Sequence, residues 1–113
     1  SLQENAKIHV ISEDVVEASH NGIVAWEKKS IIEPILIEGK DDYEKTKERW
    51  SILKEYFISQ NIKFNEVFAN SNSILSKIVY LIYFLDFVSI YKAIMIKQNP
   101  TPVKSIDYIK ERL

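Results

Sequence analysis

The chain has 113 residues with a formal net charge of −1, 46% apolar and 27% charged residues, and no cysteine. That describes one ordinary globular domain and excludes disulfides and thiolate metal sites. Basic residues are spread along the chain rather than gathered, which argues against a nucleic-acid surface.

Nothing in the first residues reads as a signal peptide, and with no cysteine a reducing, cytoplasmic location is expected. "KIHVI", residues 7–11, alternates apolar and polar positions and is expected to form a strand. "SHNGIVAWE", residues 19–27, sets one of only two histidines beside one of only two glycines. It reads as a polar turn before a segment that Trp26 anchors to the core. "PILIE", residues 34–38, is expected as a strand, and "GKDD" after it as a turn. In "DYEKTKERWSILKEYFISQ", Trp50, Leu53 and Phe57 recur at i, i+3 and i+7, which predicts an amphipathic helix capped by Asp41 or Asp42. "IKFNEVFA", residues 62–69, alternates as a further strand. "NSNS", residues 70–73, offers hydroxyl and amide oxygens for a helix start, with anion binding at 71–73 as the other use.

"ILSKIVYLIYFLDFVSIYKAIMI", residues 74–96, is long enough to span a bilayer. Lys77, Asp86 and Lys92 interrupt it, and Lys77 and Asp86 fall on opposite sides of a helix. Each charge costs about 3 kcal/mol near a membrane centre, so a buried core helix is expected and a membrane span is not. "NPTP", residues 99–102, stops this helix, because proline removes a donor and restricts the residue before it. A short C-terminal helix follows. Strand, helix, strand, helix in that order predicts an α/β fold with parallel pairing, a sheet flanked by helices and a long buried helix near the C-terminus.

His9 and His20 have no metal-ligand spacing, so no metal site is expected. No glycine-rich phosphate loop and no GxSxG elbow exist. The residues left with useful chemistry are Glu4, Glu17, His20, Thr101 and Lys110. Taken singly, each is a type that surfaces carry as a solvated group, and a lysine near a helix C-terminus also suits the helix dipole.

Together they form a pattern. "ENAK", "E-x-x-HN-x-IV-x-WE", "DFVS-x-Y-x-A" and "NPTPVKSIDYIKERL", in this order and at these separations, resemble the C-terminal half of the bifunctional phosphoglucose/phosphomannose isomerases. These are two-domain members of the phosphoglucose isomerase superfamily, built on SIS (sugar isomerase) domains. The resemblance covers nearly the whole chain. It implies that residues 1–113 are a truncated C-terminal SIS domain, lacking a first SIS domain and the opening strand and helix of the second. It implies aldose–ketose isomerisation of a hexose 6-phosphate through an enediol, without metal or organic cofactor. By the same resemblance Glu4 matches the proton-transferring base, His20 a ring-opening histidine that reaches across a homodimer interface, and Lys110 a lysine that assists ring opening. Thr101 lies in the matching "PTP" turn, and the resemblance implies for it a contact on the substrate side. Such chemistry needs a carboxylate over the C1–C2 edge and an acid that titrates near neutrality, as imidazole does. The chain departs from the family pattern at Gln3, where Asn is common, at Gly22, where Glu is common, and at Val16, where proline usually precedes the glutamate. Two other expectations compete: a non-catalytic sugar-phosphate-binding SIS module, and a small dimerisation domain with the long apolar helix as its interface.

Overall fold

The structure is a computed structural model, and it describes residues 1–70 and 73–113. The order of elements is α1 (Leu2–Ala6), α2 (Val15–Ala18), a 3₁₀ segment (Gly22–Glu27), β1 (Ile35–Gly39), α3 (Glu44–Ser59), β2 (Asn65–Ala69), α4 (Ile74–Met95) and α5 (Lys104–Lys110). Contacts divide the chain into two compact units, residues 12–77 and residues 1–11 with 78–113.

The unit of residues 12–77 holds the sheet. β1 and β2 pair in parallel, Ile35 opposite Asn65 and Gly39 opposite Ala69. Parallel strands cannot be joined by a tight turn, and α3 supplies the crossover. Alternation divides the sheet into two faces. Leu36 and Glu38 share one face with Glu66 and Phe68. The expected stripe on α3 is observed: Leu53 and Phe57 are buried with Leu36, and Ile23, Trp26, Trp50, Tyr56, Ile62 and Phe64 pack around them. Trp26 meets the Phe57 ring edge-on at 5.4 Å, so it does anchor the segment after His20 to the core. The opposite face is open, with Ile35 and Ile37 both about 40% exposed.

Helix α3 is not capped by either aspartate. Tyr43 stands at its N-cap without a side-chain bond. Asp42 turns back instead to accept from the Gly39 amide at 3.0 Å, and Asp41 pairs with Lys77 at 2.9 Å. The helix ends on Asn61 at φ 55°. The Ile62 amide bonds to the Phe57 carbonyl and the Asn61 amide to that of Ile58. This two-bond closure satisfies otherwise orphaned carbonyls, and Asn tolerates the left-handed conformation it requires.

A further expectation is corrected and another is met. Residues 7–11 form no strand: Lys7 adopts φ 56° and closes α1, and Ile11 is 82% exposed. The alternation had no neighbouring strand to pair with. The capping role expected of 70–73 is seen at Ser73, whose Oγ accepts from the Ser76 amide at 3.1 Å. Ser71 and Asn72 lie outside the described residues.

Helix α4 has the expected length but not the expected burial. Of its 22 residues only Ser89 and Ala93 are buried, although its most apolar stretch has a mean hydropathy of 1.7. By length and composition it is able to cross a membrane. Apolar residues occur on every side of it, so one packed stripe cannot cover it. It ends as α3 does, on a left-handed residue, Lys97 at φ 57°. The Gln98 amide bonds to Ala93 O and the Lys97 amide to Ile94 O. The chain turns before Pro100 is reached, and the proline only keeps the helix from resuming.

Candidate functional site

Glu4 sits in the middle of α1, exposed at the surface. Its amide is bonded by Ser1 Oγ at 3.3 Å. One turn later the Lys7 ammonium donates to the Glu4 carbonyl and, at 3.3 Å, to the Pro100 carbonyl. This lysine ties the end of α1 to the "NPTP" segment. An open groove lies alongside, lined by Gln3, Glu4 and Lys7 on one side and by Gln98, Val103 and Lys104 on the other. A carboxylate thus shares a surface depression with two ammonium groups. That combination suits a substrate bearing hydroxyls and developing negative charge.

Thr101 is exposed in the loop, its amide bonded to Asn99 Oδ1 at 3.0 Å. Its neighbour Pro102 lines the groove, while Thr101 itself is not among the lining residues. Lys110 lies in the last turn of α5, exposed, and is not part of the groove either. The lysine of α5 that shares the groove with Glu4 is Lys104. It lies inside the quoted C-terminal motif, and nothing in its spacing set it apart from Lys110.

His20 belongs to the other unit. It follows directly on α2, whose start is capped by Asp14 Oδ1, accepting from Val16 N at 2.9 Å and Glu17 N at 3.0 Å. The His20 amide donates to Glu17 O at 3.0 Å. Asn21 donates to the same carbonyl through its backbone, and to Glu17 Oε1 through its side chain at 2.6 Å. The motif "E-x-x-HN" is therefore a self-bonded turn that presents an exposed imidazole. Gly22 follows it; a Cβ there would meet the flexible end of the Glu13 side chain.

The strongest charge cluster stands elsewhere. On the α3-facing side of the sheet the Lys54 ammonium pairs with Glu38 Oε1 at 2.7 Å and also with Glu66, and lies 5.3 Å from the centre of the Phe68 ring. Burial pulls the Lys54 pKa down, but hydrogen bonds and attraction from the two carboxylates outweigh it, and the net shift is upward. On the surface, Lys77 holds the Asp41 carboxyl below its usual range, and Lys45 does the same for Glu48. Lys54 joins both strands to the crossover helix, so the cluster belongs to the framework. Among the described residues no group of three metal-ligating side chains occurs.

Comparison with known proteins gives the pattern a family. Residues 1–113 match the bacterial phospho-glucose isomerase C-terminal SIS domain. A bifunctional phosphoglucose/phosphomannose isomerase of Caldicellulosiruptor bescii is 31% identical over 114 residues, covering 97% of this chain and 34% of that protein. Its counterpart in Aquifex aeolicus is 28% identical over 115 residues, covering 99% and 36%. The chain spans about a third of the length of these curated relatives. No solved structure matches it. The mixed α/β architecture, its parallel pair and the whole-length match agree, and the chain belongs to the family of bacterial phospho-glucose isomerase C-terminal SIS domains.

Proposed function

We propose that residues 1–113 act as the C-terminal part of a cytoplasmic phosphoglucose/phosphomannose isomerase, interconverting aldose and ketose hexose 6-phosphates. The observation that carries this reading is the placement of Glu4. It is an exposed carboxylate on a capped helix, in a groove it shares with Lys7 and Lys104. Glu4 takes the proton from C2 of the open-chain aldose. The C2–H electron pair forms the C1–C2 double bond while the C1 carbonyl π pair moves to O1, which takes up a proton to give the enediol. O2 then gives up its proton as the C2 carbonyl forms, and the C1–C2 π pair takes the proton back from Glu4 at C1 to give the ketose. A positioned base of this kind contributes about 10²–10⁴-fold. His20 protonates the ring oxygen as the hexose opens, acting from the partner subunit of a homodimer. Its exposed, self-bonded turn suits a group that must project from its own subunit. Lys110 assists ring opening and Thr101 contacts substrate, by resemblance to the family. No cofactor enters this chemistry.

A coupled assay tests the reading. The complete isomerase carrying this segment is expected to convert fructose 6-phosphate to glucose 6-phosphate, and residues 1–113 alone to be inactive. Binding energy at a remote phosphate positions the reacting carbons, so removing its pocket lowers turnover as well as affinity. An inactive complete chain overturns the proposal.

A further inference from the structure

Helix α1 has five residues, too few to be stable alone. Among the contacts that hold it, one reaches 84 residues along the chain from its inward face. Asn5 Nδ2 donates to Ser89 Oγ at 2.7 Å. Ser89 Oγ in turn donates to the Asp86 carbonyl, also at 2.7 Å. Ser89 is wholly buried, as is Ala93 one turn later, and Ala6 beside Asn5 is 1% exposed. The hydroxyl is thus used as both acceptor and donor at a wholly buried position, where losing either partner leaves a polar group unsatisfied. Asn5 lies in "ENAK" and Ser89 in "DFVSIYKA", so the bond joins two of the motifs that carry the family resemblance.

Among the described residues the Glu4 carboxylate accepts no hydrogen bond of its own. Its direction is therefore set by the helix that carries it. Adjacent residues of a helix point about 100° apart, so holding Asn5 inward against α4 turns Glu4 outward along the flank. We propose that Asn5 and Ser89 are positioning residues for Glu4, a buried polar clamp that fixes the rotation and height of α1. The proposal rests on the reading of Glu4 as the base. Without the clamp α1 keeps its apolar contact but loses the side-chain bond that holds its middle against α4, and the carboxylate is no longer held over the reacting carbons. Misplacement by about 1 Å in such a site costs as much as 10²-fold.

The test uses the complete isomerase with Asn5→Ala, Ser89→Ala and the double variant, beside Glu4→Gln. Expected is a fall in kcat of about tenfold to 10²-fold, with KM within about threefold and the thermal midpoint close to that of the parent. Exchange of solvent deuterium into an open-chain substrate falls in the same proportion. The double variant loses no more than the worse single, because both remove one bond. Should Ser89→Ala not fold, Asn5→Ala, at a half-buried position, carries the test alone. A kcat within twofold of the parent in Asn5→Ala overturns the inference. So does a loss confined to KM, or one that merely tracks the fraction of folded protein. If Glu4→Gln exchanges at the parent rate, the base assignment falls and takes the clamp with it. If Glu4→Gln is inactive and the clamp variants are not, the clamp alone falls.

Discussion

Asn21 Nδ2 donates to Glu17 Oε1 at 2.6 Å, and both residues bond through their backbones in the same turn. Between them stands His20. The imidazole is exposed, but the backbone that carries it is bonded on both sides and fastened to the core through Trp26 against Phe57. The role proposed for His20, an acid working on another subunit's substrate, needs both properties: a free side chain and a fixed base.

From this follows an expectation for Asn21→Ala in the complete isomerase. Removing the amide leaves His20 in place but loosens its turn. Conversion of the cyclic sugar is expected to slow by about tenfold, within the range a positioned general acid contributes. Hydrogen exchange on an open-chain substrate should be unaffected, and comparing the two rates is the check. Equal losses in both would show that the turn serves folding rather than ring opening.

Glu4→Gln and His20→Ala should fail differently. The amide keeps the shape of Glu4 and removes its basicity, and every form of the substrate must pass the C1–C2 proton transfer. Turnover should fall about 10²–10⁴-fold for cyclic and open-chain substrates alike. His20→Ala should lose the cyclic reaction while keeping exchange on the open chain. Deuterium incorporation followed by NMR separates the two, and loss of open-chain exchange in both variants removes His20 from its assigned role.

The Lys54 cluster yields a prediction about stability. Lys54→Met leaves Glu38, 7% exposed, and Glu66 side by side without their common cation. Breaking such a pair on a mostly buried surface is expected to cost about 2–4 kcal/mol at neutral pH, read from denaturant unfolding. The pH dependence has a definite sign. The Lys54 pKa is raised in the fold above its ordinary 10.5, so its contribution is complete below that value and is lost as pH rises through the higher folded value. The difference between parent and variant should be flat across neutral pH and shrink only in strong alkali. A gap that closes between pH 7 and 9 would contradict the assignment.

The sheet and the crossover helix were legible because each is specified by local periodicity. Ile35–Gly39, Glu44–Ser59 and Asn65–Ala69 fall within a residue or three of their expected bounds. Trp26 was legible as an anchor for the same reason: a large aromatic near a polar turn has one economical place to go. What was not legible depended on partners distant in sequence. The alternation of residues 7–11 is a strand pattern without a strand beside it. Asp42 was a reasonable cap, yet the Gly39 amide lay closer to hand. Asn5 and Ser89 are unremarkable residues until 84 positions of chain are folded between them. Lys104 and Lys110 are two lysines on one short helix, and only the fold puts one of them in the groove with Glu4.

The exposure of α4 leads to the last prediction, that residues 1–113 do not remain monomeric. Tyr83, Phe87 and Tyr91 form a ladder of rings along this helix, with centroids 6.4 Å apart at each step. They are between 52% and 66% exposed, and Ile82, Ile94 and Met95 are exposed to a similar or greater degree. The sheet adds a second open surface at Ile35 and Ile37, in a parallel pair, an arrangement that proteins ordinarily cover on both faces. A long apolar helix face exposed to this degree is rare on a monomer, and unpaired strand edges favour association further. Light scattering at high micromolar concentration should therefore give a mass well above the 13.2 kDa of one chain. Tyr83→Lys with Phe87→Glu, which place opposite charges one turn apart on the exposed ladder, should shift the population toward the monomer without unfolding it. A parent chain that scatters as a clean 13.2 kDa species would show that these surfaces do not drive self-association.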